Sequence, residues 1–195
     1  MESDHRRRAA IAGHEGDESG ARALLADADP GVRAAALGAL GRMGALVPAD
    51  LERAVRDGDA RVRRRACEEA IAFAEVDLTV ALGDGDVSVV EAAAWALGER
   101  GADAADAVGL LAALARDHND PLCREAAVAA LGAIGDARGL ATVLAAAAND
   151  RPAVRRRAVV ALAAFDGPEV EEALRRALQD RDWQVRQAAE DLLSD

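Results

Sequence analysis

A possible nucleophile, an imidazole and two carboxylates lie in neighbouring segments of the chain, and together they are the types of side chain that enzymes use. They are Cys123, His118, Glu91 and Glu125. Such groups can support nucleophilic or metal-assisted catalysis. Their spacing matches no motif of either kind, and Cys123 stands where a small buried residue is expected. We therefore predict no catalytic residue, no metal site and no cofactor, and we interpret His118 as a capping or solvated residue.

Three clusters of arginine have the chemistry that suits phosphate. They are Arg6–Arg8, Arg63–Arg65 and Arg155–Arg157. The chain nevertheless has 35 acidic and 24 basic residues, a net charge of −11 and only 2% aromatic residues that could stack on bases. This net charge opposes nonspecific binding to nucleic acid or to anionic membranes. We predict that the clusters are solvated or paired within the chain, and a nucleic-acid-associated protein is the first alternative function.

A tryptophan lies between two glutamates at helical spacing, in the series Glu91, Trp95 and Glu99. The three side chains are predicted to form one stripe on an outward helix face. Tryptophan is enriched at the energetic centres of protein interfaces, and the flanking carboxylates favour a basic ligand. The alternative interpretation is that Trp95 lies over the small Ala129 of the next helix and only fills space.

The elements that position these residues are predicted to be helices. Hydrophobic residues make up 51% of the chain, tyrosine is absent, and the apolar fraction is mainly alanine, leucine and valine. Such a composition suits closely packed helices rather than strands. No apolar run approaches the roughly 18 residues of a membrane span, and no signal peptide is recognisable, so we predict a cytoplasmic protein. Cys67 and Cys123 form no metal or disulfide pattern and are predicted to be reduced.

The phrase D-x-D-x-x-V-R-x-x-A recurs along the chain. Its Val-type position, named the marker here, is occupied by Val32, Val62, Val89, Cys123, Val154 and Val185. Successive markers are 30, 27, 34, 31 and 31 residues apart, which is the length of a two-helix unit. The predicted copies are 1–28, 29–58, 59–85, 86–119, 120–150, 151–181 and an incomplete 182–195. About seven copies thus form a single predicted domain, 1–195.

Each copy is predicted to contain a first helix that begins near the marker and a shorter second helix. Gly41, Gly98 and Gly132 stand at equivalent places and are predicted to supply left-handed caps where first helices end. The second helices are predicted at 46–56, 75–82, 103–116, 137–148 and 168–179. About 13 helices are expected in an all-α fold.

The repeat resembles the HEAT-repeat family, particularly the short HEAT-like repeats of the phycobilisome-lyase type. The resemblance is clearest at 59–66 and 123–136 and implies an α-solenoid. In the family, aspartate–arginine pairs form a structural ladder between repeats. The matching residues here are Asp29, Arg33, Asp59, Arg63, Asp120, Arg124, Asp182 and Arg186. HEAT-type hydroxylases hold two irons with His-Glu dipeptides, but the matching positions read Glu91-Ala92 and Glu125-Ala126.

The family resemblance also implies that second helices provide the binding surface. Together with Glu91, Trp95 and Glu99, the predicted partner-binding residues are Arg53, Arg56, Arg138, Thr142, Glu172 and Arg175. The alanine-rich segment 141–148 is expected to leave a shallow apolar groove. We predict a non-catalytic, monomeric scaffold or adaptor that binds another protein. An enzyme accessory or lyase-like protein is the second alternative, after the nucleic-acid-associated one.

Overall fold

The structure is a computed structural model, and it describes residues 17–194. Within this range the chain contains eleven α-helices and no β-strand. The helices are α1 (Glu18–Ala23), α2 (Pro30–Met43), α3 (Pro48–Ala54), α4 (Ala60–Glu69), α5 (Val87–Glu99), α6 (Val108–Asp117), α7 (Pro121–Ile134), α8 (Leu140–Asn149), α9 (Pro152–Ala161), α10 (Pro168–Ala177) and α11 (Trp183–Ser194). Short 3₁₀ helices lie at Leu24–Ala26, Ala70–Ala72, Thr79–Gly83, Gly101–Ala107, Ala137–Gly139 and Leu162–Ala164.

First and second helices alternate along the described chain, as the repeat predicts, except between α4 and α5. The first helices are α2, α4, α5, α7, α9 and α11, and the second helices are α1, α3, α6, α8 and α10. The predicted second helix at 75–82 is wrong, because this copy has only the 3₁₀ helix Thr79–Gly83 in its place. The interval between the flanking markers, 27 residues, is the shortest in the chain and leaves little room for an α-helix.

The marker residues form the centre of the packing. All six are buried, with at most 2% of their surface exposed. Leucines of first and second helices, such as Leu37, Leu51 and Leu131, are buried beside them. Burying one such side chain contributes about 1.5–3 kcal/mol to folding. The thiols of Cys67 and Cys123 are buried too, and burial was predicted for Cys123.

Glycines act in two ways at the ends of first helices, and the predicted positions of the left-handed caps are wrong by three residues. Gly44, Gly101 and Gly135 have the positive φ angles, at 66°, 56° and 67°. The earlier glycines lie inside the helices, where the missing side chain lets the next helix approach. A Cβ atom at Gly132 would lie 2.8 Å from the Cα atom of Ala161. The early glycines therefore serve packing rather than helix termination.

The chain divides into two compact units, and the boundary falls within α5 between Ala93 and Ala94. In the first unit, α2 packs against α1 and α4. In the second unit, α7 packs against α6 and α9, and α9 packs against α8 and α11. Assignment to one domain with the seven copies bounded as above stays a prediction.

None of the described helices combines the length and the apolarity needed to cross a membrane.

Candidate partner-binding surfaces

Four arginines near the starts of first helices connect each helix to the turn before the next first helix, and this set is named the ladder. The Nε and Nη2 atoms of each arginine donate to both carboxylate oxygens of an aspartate at 2.6–2.9 Å. The pairs are Arg33–Asp57, Arg63–Asp84, Arg124–Asp150 and Arg155–Asp180. No side chain in these pairs is more than 19% exposed. Bidentate pairs of this kind are strong and directional.

The ladder corrects the prediction, which paired each arginine with the aspartate at the start of its own helix. Those aspartates instead accept a backbone N–H from the residue two positions later, and so cap the first turn. They are Asp29, Asp59, Asp120 and Asp182. The bidentate partner lies in the turn before the next first helix, 21–26 residues along the chain. Each pair therefore links one first helix to the turn that leads into the next.

Arg155 and the equivalent residue Arg186 complete the description of the ladder. Arg155, predicted only as part of an arginine cluster, is a ladder member and the most buried of the four, with 4% of its side chain exposed. Arg186 occupies the equivalent position in α11, and its Nη1 atom donates to the carbonyl oxygen of Asp180 at 2.7 Å. Every ladder arginine makes this same kind of bond to a backbone carbonyl group in the turn that precedes its own helix. Arg33, for example, donates from Nη1 to the carbonyl oxygen of Asp27.

The ladder pairs alter the acidity of their carboxylates. The hydrogen bonds from Arg63 hold the pKa of Asp84 below its ordinary value, since they stabilise the charged carboxylate. Arg155 lowers the pKa of Asp180 for the same reason. In both cases the hydrogen bonds outweigh burial, which acts in the opposite direction. The ladder is therefore charged at neutral pH.

The fourth copy departs from this pattern. Val90 stands at the ladder-arginine position and is completely buried. In the turn before α7, His118 takes the place of the first aspartate of the phrase. Its Nδ1 atom accepts the backbone N–H of Asp120 at 3.1 Å, as Asp57 accepts the N–H of Asp59 at 2.9 Å. His118 is thus a capping residue, which confirms its interpretation from the sequence.

The arginine clusters are paired within the chain wherever the structure describes them. Arg63 and Arg155 belong to the ladder, and Arg64 and Arg65 form ion pairs with Glu68 at 3.4 Å and 3.0 Å. Arg156 and Arg157 approach Glu125 at 3.8 Å and 3.5 Å. Arg6–Arg8 lie outside the described residues. These pairs compensate much of the positive charge that a phosphate backbone requires.

The predicted partner-binding residues of the second helices differ in their exposure and in their hydrogen bonds within the chain. Arg53 is exposed on α3, and Arg56 is exposed in the turn that follows this helix. Arg138 donates to Asp136 from Nε and Nη2 at 2.9 Å and 2.7 Å, and to the carbonyl oxygen of Ala105 at 2.8 Å. Its hydrogen bonds lower the pKa of Asp136 to about 2. Internal bonds therefore hold Arg138 against the start of the helix.

Thr142 differs from its prediction as a partner-binding residue. Only 6% of its surface is exposed, and its hydroxyl oxygen accepts a hydrogen bond from Nη1 of Arg116 at 3.1 Å. A partner would have to displace this internal bond to reach it. By contrast, Glu172 and Arg175 are exposed on α10 and form an ion pair with each other.

An open groove lies between α8 and α10, where the alanine-rich segment was expected to leave one. Its volume is about 260 Å³. The floor is apolar and the rim is polar. The lining residues are Leu144, Ala147, Ala148, Ala173 and Ala177, with Arg176, Gln179 and Asp180 beside them. Since these small side chains do not fill the space, the groove, named the second-helix groove, can accept an apolar side chain of a partner.

Trp95 lies on the surface of α5 with 48% of its area exposed. Glu99, one turn later on the same helix, is exposed, and Glu91, one turn earlier, is half-buried. If Trp95 only filled space against its neighbours, this large apolar area would not be expected to remain exposed to solvent.

Across residues 17–194, no three or more His, Cys, Asp or Glu side chains form a group that could hold a metal ion.

Comparison with known proteins identifies the repeat. A sequence profile described as HEAT repeats matches residues 75–160 and 140–194, which together make up more than half of the chain. No curated protein matches the sequence. Among solved structures, the chain is similar to an engineered protein at 19% sequence identity, with 91% of this chain and 97% of the other covered and a TM-score of 0.68.

Two further structures are similar over most of the chain. One is the complex of CpcE and CpcF of the phycocyanin lyase from Nostoc sp. PCC7120, at 26% identity and a TM-score of 0.63, with 90% of this chain and 75% of that chain covered. The other is a designed armadillo repeat protein in complex with the peptide (KR)4, at 18% identity and a TM-score of 0.61, with 98% and 97% covered. These likenesses and the helix pairs establish an α-solenoid of HEAT-like repeats.

Proposed function

The chain belongs to the HEAT-repeat family, and we propose that it is a non-catalytic scaffold that binds another protein through its second helices. The observation that carries this proposal is the second-helix groove, which is open, apolar at its floor and about 260 Å³ in volume. Concave sites with an apolar floor and a few polar groups at the rim are typical of binding surfaces. Repeat folds of this class commonly serve as such scaffolds.

The charges around the groove support a protein partner of mixed polarity. Asp180 at the rim is already paired with Arg155, so it offers little free negative charge. Arg176 lies on the same rim with 65% of its side chain exposed, and its closest carboxylate contact is 3.8 Å from Glu172. A partner that places an apolar side chain in the groove and a carboxylate at Arg176 fits this arrangement.

Further residues extend the proposed surface along the second helices. Arg53 on α3 and Arg56 just after it are exposed and remain proposed contacts, as do Glu172 and Arg175 on α10. Arg138 contributes through its exposed outer part. Because the affinity would be spread over several repeats, single substitutions outside the groove are expected to weaken binding only slightly. A cytoplasmic location and a monomeric state belong to the same proposal.

The alternatives receive less support from the described residues. The paired arginine clusters do not favour a nucleic-acid interface. The similarity to the CpcE–CpcF complex keeps a lyase-like or accessory role as an alternative, but it supplies no candidate catalytic residues here. The designed armadillo protein binds a peptide, which is consistent with peptide or protein binding by this type of repeat fold.

The proposal is tested by filling the groove. Ala148→Trp places a bulky side chain in it, and Arg176→Glu reverses the charge at its rim. Partners captured from host lysate by the wild-type protein are identified by mass spectrometry, and their affinities are then measured with purified proteins. We expect both variants to weaken binding of the same partner at least about 10-fold, the loss expected when a central contact is removed.

Ala141→Trp is the matched control, since Ala141 is exposed on the same helix but does not line the groove. This variant should bind like the wild-type protein. Circular dichroism and thermal unfolding of all three variants establish that they are folded. Unchanged binding by the folded groove variants would show that the second-helix groove is not the binding site.

A further inference from the structure

The first helices of the second unit carry an exposed apolar row that the other copies lack. Six residues after the marker, three successive copies have Trp95, Ala129 and Val160, whereas the copies at the two ends have polar or small residues there, such as Glu68 and Asp191. Trp95 is 48% exposed and Val160 is 44% exposed. The row therefore presents large apolar side chains to solvent on the side of the repeats formed by the first helices.

Close helix contacts make the row continuous. A Cβ atom at Gly98 would lie 3.0 Å from the Cα atom of Ala130, so residues 94–99 of α5 pack tightly on α7. Gly132 and Ala161 bring α7 and α9 together in the same way. Between α7 and α9 the small side chains leave an open groove of about 360 Å³. It is lined by Ala129, Gly132, Ala133, Val160, Ala161 and Ala164, with Arg157 and Ala163 beside them.

The charge around this first-helix groove is uneven. At one end, Glu125 is already paired with Arg156 and Arg157. At the other end, Glu99 is exposed one helical turn from Trp95, and its carboxylate has no basic partner among the described residues. The uncompensated negative charge therefore lies beside the indole ring.

An indole face next to a carboxylate suits a cationic side chain. A guanidinium or ammonium group over the ring gains a cation–π interaction. The same group can donate hydrogen bonds to Glu99 and form a charge-assisted pair. An acidic ligand would meet Glu99 unfavourably, and a purely apolar ligand would leave this carboxylate unpaired.

We propose that this surface binds a basic segment of another protein, with an arginine or lysine on Trp95 and Glu99 and an aliphatic side chain in the first-helix groove. It is a second interaction surface, separate from the second-helix groove. The net charge of −11 assists the approach of such a segment, because long-range attraction accelerates association of opposite charges.

The test uses the chain of residues 1–195 with Trp183→Phe, which leaves Trp95 as its sole tryptophan and fluorescent reporter. The probe is a synthetic amphipathic peptide with leucine on one helical face and arginine on the other. We expect saturable binding by calorimetry and a shift of the Trp95 emission. The same peptide with glutamine in place of arginine should bind at least about 10-fold more weakly, since both polar contacts are lost.

Variants of the protein then locate the site. Glu99→Gln should weaken binding of the arginine peptide about 5-fold, the effect of losing one charge pair. Glu169→Gln makes the same change of net charge on α10 and should bind normally. Val160→Asp should weaken binding by blocking the groove with a charge. Trp95→Phe, which preserves an aromatic ring and the packing, should show an intermediate loss.

Three results would overturn the proposal. One is equal loss with Glu99→Gln and Glu169→Gln, which would indicate attraction by net charge alone. Another is unchanged binding by folded Glu99→Gln and Val160→Asp. The third is emission that shifts with protein concentration and not with peptide, which would identify a second copy as the occupant. Ala148→Trp should leave peptide binding intact, so this test is independent of the second-helix groove.

Discussion

The ladder position of the first helices differs sharply between the fourth copy and the others. At Arg33, Arg63, Arg124 and Arg155 a guanidinium is held by a bidentate carboxylate and a carbonyl oxygen. At Val90 the same position holds an aliphatic side chain that is completely buried. In the copies of these four arginines the turn before the next first helix supplies an aspartate, whereas the turn after the Val90 copy has His118 in that place. The comparison teaches that a buried charge at this position goes with a built-in partner, and that hydrocarbon replaces the charge where that partner is missing.

The largest expected effect comes from removing a carboxylate from the most buried ladder pair. Asp180→Ala leaves Arg155, whose side chain is 4% exposed, without its bidentate partner. We expect the free energy of unfolding to fall by about 3 kcal/mol, as for other broken buried pairs. Urea denaturation measures this change. Asp57→Ala should cost less, because Arg33 is 19% exposed and can reach water; equal losses would contradict this dependence on burial.

The converse substitution, Val90→Arg, places a guanidinium where the fourth copy has none. We expect a loss of about 2 kcal/mol, since the long side chain can turn part of its charge toward water but leaves the Val90 site poorly filled. Thermal and urea unfolding report the change. Val80→Arg is the matched control, because Val80 is 48% exposed and should tolerate arginine with little effect. If Val90→Arg left the stability unchanged, burial would not be what decides the residue at this position.

A smaller loss of unfolding free energy is expected when an aspartate that caps a helix is replaced. Asp29→Ala removes the acceptor for the N–H of Gly31 and should cost about 1 kcal/mol. Asp29→Asn keeps an acceptor oxygen and should lose much less stability. If alanine and asparagine destabilise the protein equally, Asp29 acts through its charge rather than through capping.

The smallest effect is on the pH dependence of stability. Asp84 and Asp180 have pKa values lowered by their arginines, so their stabilising contribution is complete above the unfolded-state pKa of about 3.9 and is lost as pH falls through the lower folded-state values. Unfolding free energy should therefore decline with acidification below about pH 4. Asp84→Asn should show a shallower decline when urea unfolding is repeated across this range. An identical slope would mean that Asp84 does not contribute to acid sensitivity.

The sequence was sufficient for features that depend on periodicity. The marker position was expected to hold a small buried residue, and Val32 and its equivalents are buried. The groove beside α8 was expected because a run of alanines cannot fill the space next to a neighbouring helix. Both predictions rest on side-chain size at regular spacing, which a single sequence displays directly.

Long-range pairing was harder to predict. Arg33 and Asp29 are near in sequence, but the bidentate partner of Arg33 is Asp57, 24 residues away. The recurrence of an aspartate 21–26 residues after each ladder arginine was the available signal. The predicted glycine caps failed for a related reason: close approach to the next helix and termination both select glycine, and only neighbouring helices distinguish the two.

The ladder aspartates also bear on how such a chain can change in length. Asp57 both binds Arg33 and accepts the N–H of Asp59, so one residue joins two copies and starts the second. Because the joints use the same residue types, unequal recombination that duplicates or removes a whole copy would provide each arginine with an equivalent aspartate. The copy that contains Val90 lacks this interchangeable joint, so its place in the order of copies is less easily exchanged.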